Sequence, residues 1–221
     1  MPTESNETHR ASGLLIGIGS VLAVLLMAHH PSTGGRDTAS LVEELSLEAP
    51  LTSGVHGGLI VLMGCLLLGF TGFSEHLGLE KLRVRAALCA YGLGIAFMIM
   101  AATVSGFIVP GLASRYVSEA ATAPVLESVR PALRLCFQAN QSAAQAGTVA
   151  LSIAILLWSW TLLERSGPSR AIGIFGIAVG VLPPLALFAG RLHLDVHGMG
   201  AVVLAQAFWS VAVAIWLYRR R

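Results

Sequence analysis

Charge is scarce in this chain: only 12% of its 221 residues are Asp, Glu, Lys or Arg. Soluble domains carry about 25%, so water is not the natural solvent for most of this sequence. Lysine is nearly absent, Lys81 being the single one, and the formal net charge is only +2. That is too little to hold a polyanion, which excludes nucleic acid as a partner. Cysteine is sparse as well. Cys65, Cys89 and Cys136 lie far apart and form no CxxC pair. Nothing in their spacing argues for a disulfide framework, and the first two sit in apolar runs, where a thiol behaves as a small hydrophobe. HExxH, GxSxG, CxxCH and P-loop motifs are all missing, which removes the motif-bearing hydrolases, c-type haem proteins and nucleotide-binding folds. No apolar run carries the internal carboxylate or cation of an ion-coupled transporter.

What remains is hydrophobicity, at 55% of residues and a mean hydropathy of +0.74. A helix needs about 20 apolar residues to cross a hydrocarbon core. Segments at about 12–29, 54–74, 86–109, 144–163, 171–190 and 198–218 meet that requirement. Each is expected to be a helix, because in lipid a backbone can satisfy its N–H and C=O groups only internally. The sequence is therefore read as an all-α, polytopic membrane bundle, a single transmembrane domain over 1–221 with six spans. The first run could pass for a signal peptide, but it ends in Met27-Ala28-His29-His30-Pro31 without a small-x-small cleavage site. It is read as a retained helix. Pro183-Pro184 falls inside the fifth span and should kink it.

Orientation follows from basic residues at the span ends. One side receives Arg10, Lys81, Arg83, Arg85, Arg165, Arg170, Arg219, Arg220 and Arg221; the other receives Arg36, Arg115, Arg130, Arg134 and Arg191. Nine against five makes the first side cytoplasmic, with both termini there, in a bacterial-type inner membrane. Trp158, Trp160, Trp216 and Tyr218 near that side fit an aromatic belt. On the outer side, Leu41, Val42 and Leu45 can line one face of a short interfacial helix within 31–50. Residues 111–143 read as a long loop with Pro124 and Pro131, although the stretch from Leu133 can extend the fourth helix outward. Gly173-x-x-Gly176-x-x-x-Gly180 is a packing stripe that lets backbones approach.

Five of the seven histidines collect on the outer side. His29 and His30 end the first span, His56 opens the second, and His193 and His197 straddle the start of the sixth. His9 and His76 lie on the cytoplasmic side, in water. On a helix, His193 and His197 share a face at i, i+4, a spacing that lets two imidazoles bind one ion. Asp195 between them points elsewhere and suits a supporting acceptor or a cap. With His56 and one of His29 or His30, a site of three or four nitrogens results, suited to a transition metal such as zinc or copper. A single b-type haem held by His56 with His193 or His197 is a further reading. The bland alternative is an interfacial group that bonds water, headgroups or carbonyls. Gln138, Gln141 and Gln145 recur at i, i+3, i+7 with Asn140 alongside, and Thr103, Ser105 and Arg191 approach the same level. Amides are costly in lipid unless paired, so this stripe should face a wet cavity or another helix.

Thr52-x-x-x-His56 together with His193-x-x-x-His197 resembles, over these few residues, the ceramidase and adiponectin-receptor-like membrane hydrolases. That resemblance implies zinc held by His56, His193 and His197, with a metal-bound water as nucleophile. The chain departs from those seven-helix proteins in helix count and lacks their intramembrane Asp from an intermediate helix. The function expected is an inner-membrane protein with a histidine-rich metal site at its outer face, in the role of a metal-dependent enzyme. The alternative is a non-catalytic subunit or scaffold. Its partners are the lipid bilayer and a membrane protein or a second copy of itself.

Overall fold

The computed structural model describes residues 2–30, 37–118 and 123–219. Arg36, Arg220 and Arg221, which entered the orientation argument, lie outside the described residues. Among those described there is helix and no strand. The elements are α1 (Pro2–Ala28), α2 (Thr38–Leu47), α3 (Ala49–Leu77), α4 (Leu82–Thr103), a π-helical turn (Val104–Ile108), α5 (Val109–Ser118), α6 (Ala123–Leu163), α7 (Pro168–Phe188) and α8 (Val196–Tyr218). Six stretches are long and apolar enough to cross a membrane, namely Glu7–Ala28, Ala49–Leu77, Leu82–Val117, Ser128–Leu163, Pro168–Phe188 and Val196–Tyr218.

Each span packs on its neighbours in sequence, and α8 closes back on α1. The six spans therefore form an up-and-down ring, in keeping with the tendency of consecutive elements to be adjacent in space. The start of α1 and the end of α8 share one face, called here the near face; the opposite one is the far face. The near half of the ring is filled with aromatic rings. Phe70, Trp158 and Trp209 lie almost parallel, with centroids 5.0, 5.8 and 6.3 Å apart, and all three are buried. Trp158 Nε1 donates to Ser74 Oγ at 3.1 Å, so the indole's one polar atom is satisfied inside the bundle. Trp158 and Trp216 thus turn inward, and only Trp160 and Tyr218 of the expected aromatic belt are exposed.

Two expectations fail in the same region. Residues 111–118 and 123–143 are helical, not a loop. α4 continues through the π turn into α5, and α6 starts at Ala123, 41 residues long. At 1.5 Å per residue α6 spans about 60 Å, twice a hydrocarbon core. Packing explains the excess. Val129 and Leu133 of α6 bury against Val42 and Leu45 of α2 and Val109 and Ala113 of α5. The α2 helix exists as expected, but its apolar face meets α5 and α6 rather than lipid. Together these pieces form a helical cap over the far end of the ring. The glycine stripe on α7 behaves as read: Gly173 and Gly180 approach the α6 backbone at Ser159 O and Ser152 O, where a Cβ would sit 2.8 Å away.

Candidate functional site

Beneath the cap the ring does not fill, and a cavity of about 420 Å³ opens between α1, α3, α4, α6 and α8. Its wall follows helical periodicity. On α3 the residues facing it are Thr52, His56, Leu59 and Met63; on α6 they are Phe137, Asn140, Gln141 and Ala144. Both sets obey the i, i+3 or i+4, i+7 spacing of one helix face. Deeper in the ring lies a second chamber of about 120 Å³, floored by Phe70, Tyr91 and Trp209. Met27, Leu59, Met63, Met98 and Met199 border both spaces. Below them the stacked aromatics close the ring.

His56 is the best-defined polar group on this wall. It is 5% exposed, and its Nδ1 donates to Thr52 O at 2.8 Å. A carbonyl can only accept, so that bond fixes the tautomer and leaves the Nε2 lone pair facing outward. Nε2 of His30 meets it at 3.2 Å, the two rings standing edge to face with centroids 4.8 Å apart. The π turn builds the pocket for this ring. Gly106 sits against His56 so closely that a Cβ would lie 2.7 Å from His56 Cγ, and Gly106 O accepts from Ser53 Oγ at 2.7 Å. Single π turns inside α-helices are often found at functional sites. Glu48, at the α2–α3 junction, lines the same cavity, and its Oε2 is buried with no hydrogen-bond partner among the described residues.

The remaining candidates separate. His29 is exposed and turns its Nδ1 back to Leu25 O at 2.8 Å. His193 is not helical, because α8 begins only at Val196; the i, i+4 argument for His193 and His197 therefore does not apply. The reason is Asp195, whose carboxylate caps α8 by accepting from Gly198 N at 2.8 Å. All four of Arg191, His193, Asp195 and His197 are exposed, but only Asp195 and His197 line the cavity. Among the described residues no three His, Cys, Asp or Glu side chains gather closely enough to hold a metal ion. The set of His56, His193 and His197 is not assembled, since His56 Nε2 faces His30 instead. Of the residues named for a haem, His56 and His197 both line the cavity, whereas His193 does not.

The amide stripe is displaced by about one residue. Asn140 and Gln141 face the cavity, Gln141 Nε2 donating to Leu194 O at 2.9 Å. Gln138 and Gln145 are exposed, Gln138 reaching only Ser142 Oγ at 3.4 Å. Three contributors went unread in the sequence. Gly106 gave no signal, being one glycine among 24. Glu48 stands in no motif. The methionines were legible in principle: the chain has six, and four of them, on four different helices, border these cavities.

No family model, curated protein or solved structure matches this chain.

Proposed function

We propose that this chain is a multi-pass membrane protein that binds a small cation in the cavity at its far face. The observation behind the reading is the cavity wall. It carries the carboxylates Glu48 and Asp195 and the imidazoles His30, His56 and His197, with no Lys or Arg among the described residues that line it. A cavity of this size, mostly apolar with a few convergent polar groups, is the usual form of a small-ligand site between helices. A buried carboxylate oxygen without a donor is costly. A cation at Glu48 removes that cost, and an anion would add to it.

A transition metal is the sharper form of this reading, with zinc and copper both accepting imidazole. Two nitrogens bound at about 2.0 Å to a tetrahedral ion lie about 3.3 Å apart, close to the 3.2 Å between the two Nε2 atoms. The backbone bond from His56 Nδ1 is the support a ligating imidazole ordinarily has. The same distance also fits a plain N–H···N hydrogen bond tying α1 to α3 in a non-catalytic subunit.

Thermal unfolding of the purified protein separates the two. A ligand present at 100 times its Kd stabilises by about 2.7 kcal/mol. The expected result is a higher Tm with zinc, copper or tetramethylammonium, lost in Glu48→Gln and His56→Ala. No rise with any of the three, or an equal rise in both variants, overturns the proposal and leaves the structural hydrogen bond.

A further inference from the structure

We infer that the cation is organic and amphiphilic: an ammonium head held at the level of Glu48 and Asp195, with an apolar body that extends past Leu59 into the deeper chamber. The inference rests on the cation-binding reading above and names its ligand class. A tightly held metal ion needs several ligands converging on one point, and no group of three forms among the described residues. The carboxylates and imidazoles are spread instead over the wall of a space of about 420 Å³. That is the size of a site for an organic molecule, far beyond a bare ion. A bulky ammonium needs no converging ligands. Coulomb attraction to one carboxylate in a water-poor cavity is enough to hold it, and Glu48 Oε2 is buried there with no donor among the described residues.

What lies beneath supplies the rest of the ligand's chemistry. The two spaces share Met27, Leu59, Met63, Met98 and Met199 along their boundary, yet their linings differ in kind. The upper wall carries Glu48, Asp195 and three imidazoles; the lower carries no Asp, Glu, His, Lys or Arg among the described residues. A chamber of that kind offers nothing to a hydrated inorganic ion and suits hydrocarbon. His197 and Gln206 stand nine residues apart on α8, about 14 Å along its axis, so the polar and apolar compartments are stacked along that helix. Four of the five boundary residues are methionines, unbranched chains that re-pack around ligands of different shape. A chain can therefore pass between the compartments without a rigid gate. Gln206 gives the deeper chamber one polar point. Its Nε2 is buried with no hydrogen-bond partner among the described residues, a donor that a closed core rarely leaves unmatched. An acceptor on the ligand's body would satisfy it.

The test is calorimetric titration of the full chain in nanodiscs with tetramethylammonium and its butyl-, hexyl- and octyltrimethylammonium relatives, the heats of empty nanodiscs being subtracted. Affinity should rise about fourfold for each methylene group that enters the chamber. Glu48→Gln should weaken every member of the series by a similar factor. Ala23→Leu and Val203→Phe, which fill the deeper chamber from α1 and α8, should flatten the rise with chain length and leave tetramethylammonium unchanged. If both of these variants unfold, the slope of the wild-type series decides alone. Tetramethylammonium binding with no rise along the series, or a rise undiminished in the filled-chamber variants, overturns the amphiphile inference while the cation cavity stands. Zinc or copper bound in preference to every ammonium does the same. Octanol bound as tightly as octyltrimethylammonium, or no binding of any cation, removes both.

Discussion

Replacing Gly106 by alanine probes the support of the histidine pair without touching either imidazole. The new Cβ would lie 2.7 Å from His56 Cγ, well inside contact distance, and the obstacle is a ring held by two bonds rather than the loose end of a chain. His56 must shift, which stretches its bond to Thr52 O (2.8 Å) and its contact with His30 (3.2 Å). Overpacking of this kind costs about 1–3 kcal/mol. The strained polar contacts add about 0.6 kcal/mol each, the average for such bonds in membranes. Alanine returns up to about 1 kcal/mol in helix propensity. The net expectation is a loss of about 1–3 kcal/mol. Gly54→Ala is the internal control: it sits on α3 two residues from His56 with nothing within 4 Å of its added Cβ, so it should be neutral or stabilising by up to about 1 kcal/mol. SDS-titrated unfolding of the two variants side by side reads the difference. Equal midpoints would refute the argument that Gly106 is absent of side chain for the sake of His56.

Three other outcomes follow from the same coordinates. Gly176→Ala places a Cβ against Ser159 Oγ and Trp209 Nε1, both buried; it should destabilise by about 1–3 kcal/mol, and wild-type unfolding midpoints would contradict it. Asp37 caps α2 through Ser40 N at 2.8 Å, and that backbone bond, with the Ser40 hydroxyl, lowers its pKa. A lowered folded-state pKa means the cap's contribution is complete above the unfolded value near 3.9 and is lost only as pH falls through the lower folded value. The Ser40 amide resonance should therefore hold its position from pH 7 down to about 4 and move below that; a transition above pH 5 would contradict the bond. In a cysteine-free background, a thiol introduced in the 31–50 segment should label from outside intact cells, and a reporter after Arg221 should read as cytoplasmic. The reverse pattern would put the cavity on the cytoplasmic side.

Much of the architecture was legible because lipid imposes it. Apolar runs of sufficient length have no alternative to helix, and the six spans emerge with their order intact. The ends of helices were less legible. Hydropathy stops at the membrane surface, whereas α6 starts at Ala123, about six turns before the expected span, because Val129 and Leu133 find partners in α2 and α5. Those partners are distant in sequence. The candidate site was misjudged by a related error. The pairing of His193 with His197 assumed a helix through both, whereas Asp195 caps it and α8 begins at Val196, three residues after His193. Likewise the polar stripe of α6 was drawn through its amides, while the cavity-facing direction is set by Phe137 and Ala144. A residue's type shows what it can do; its rotation about the helix axis decides whether it meets the site, and only the neighbours fix that rotation.

The closure of α8 on α1 has a consequence for how the protein is made. α1 precedes every other described span, yet one of its two flanks is covered only when α8 arrives. Until then the α1 face at Gly13 and Gly17, which packs on Ala214 and Tyr218 of α8 in the finished ring, meets lipid or a chaperoning insertase. The cavity has no complete wall during that interval either, because Met199, His197 and Asp195 are still in the ribosome or on their way to the bilayer. A closed cavity wall is therefore an all-or-none product of the last insertion event. An arrested chain ending before Val196 would be integrated and helical, but open along one side, and exposed to quality-control proteases that recognise polar residues stranded in lipid.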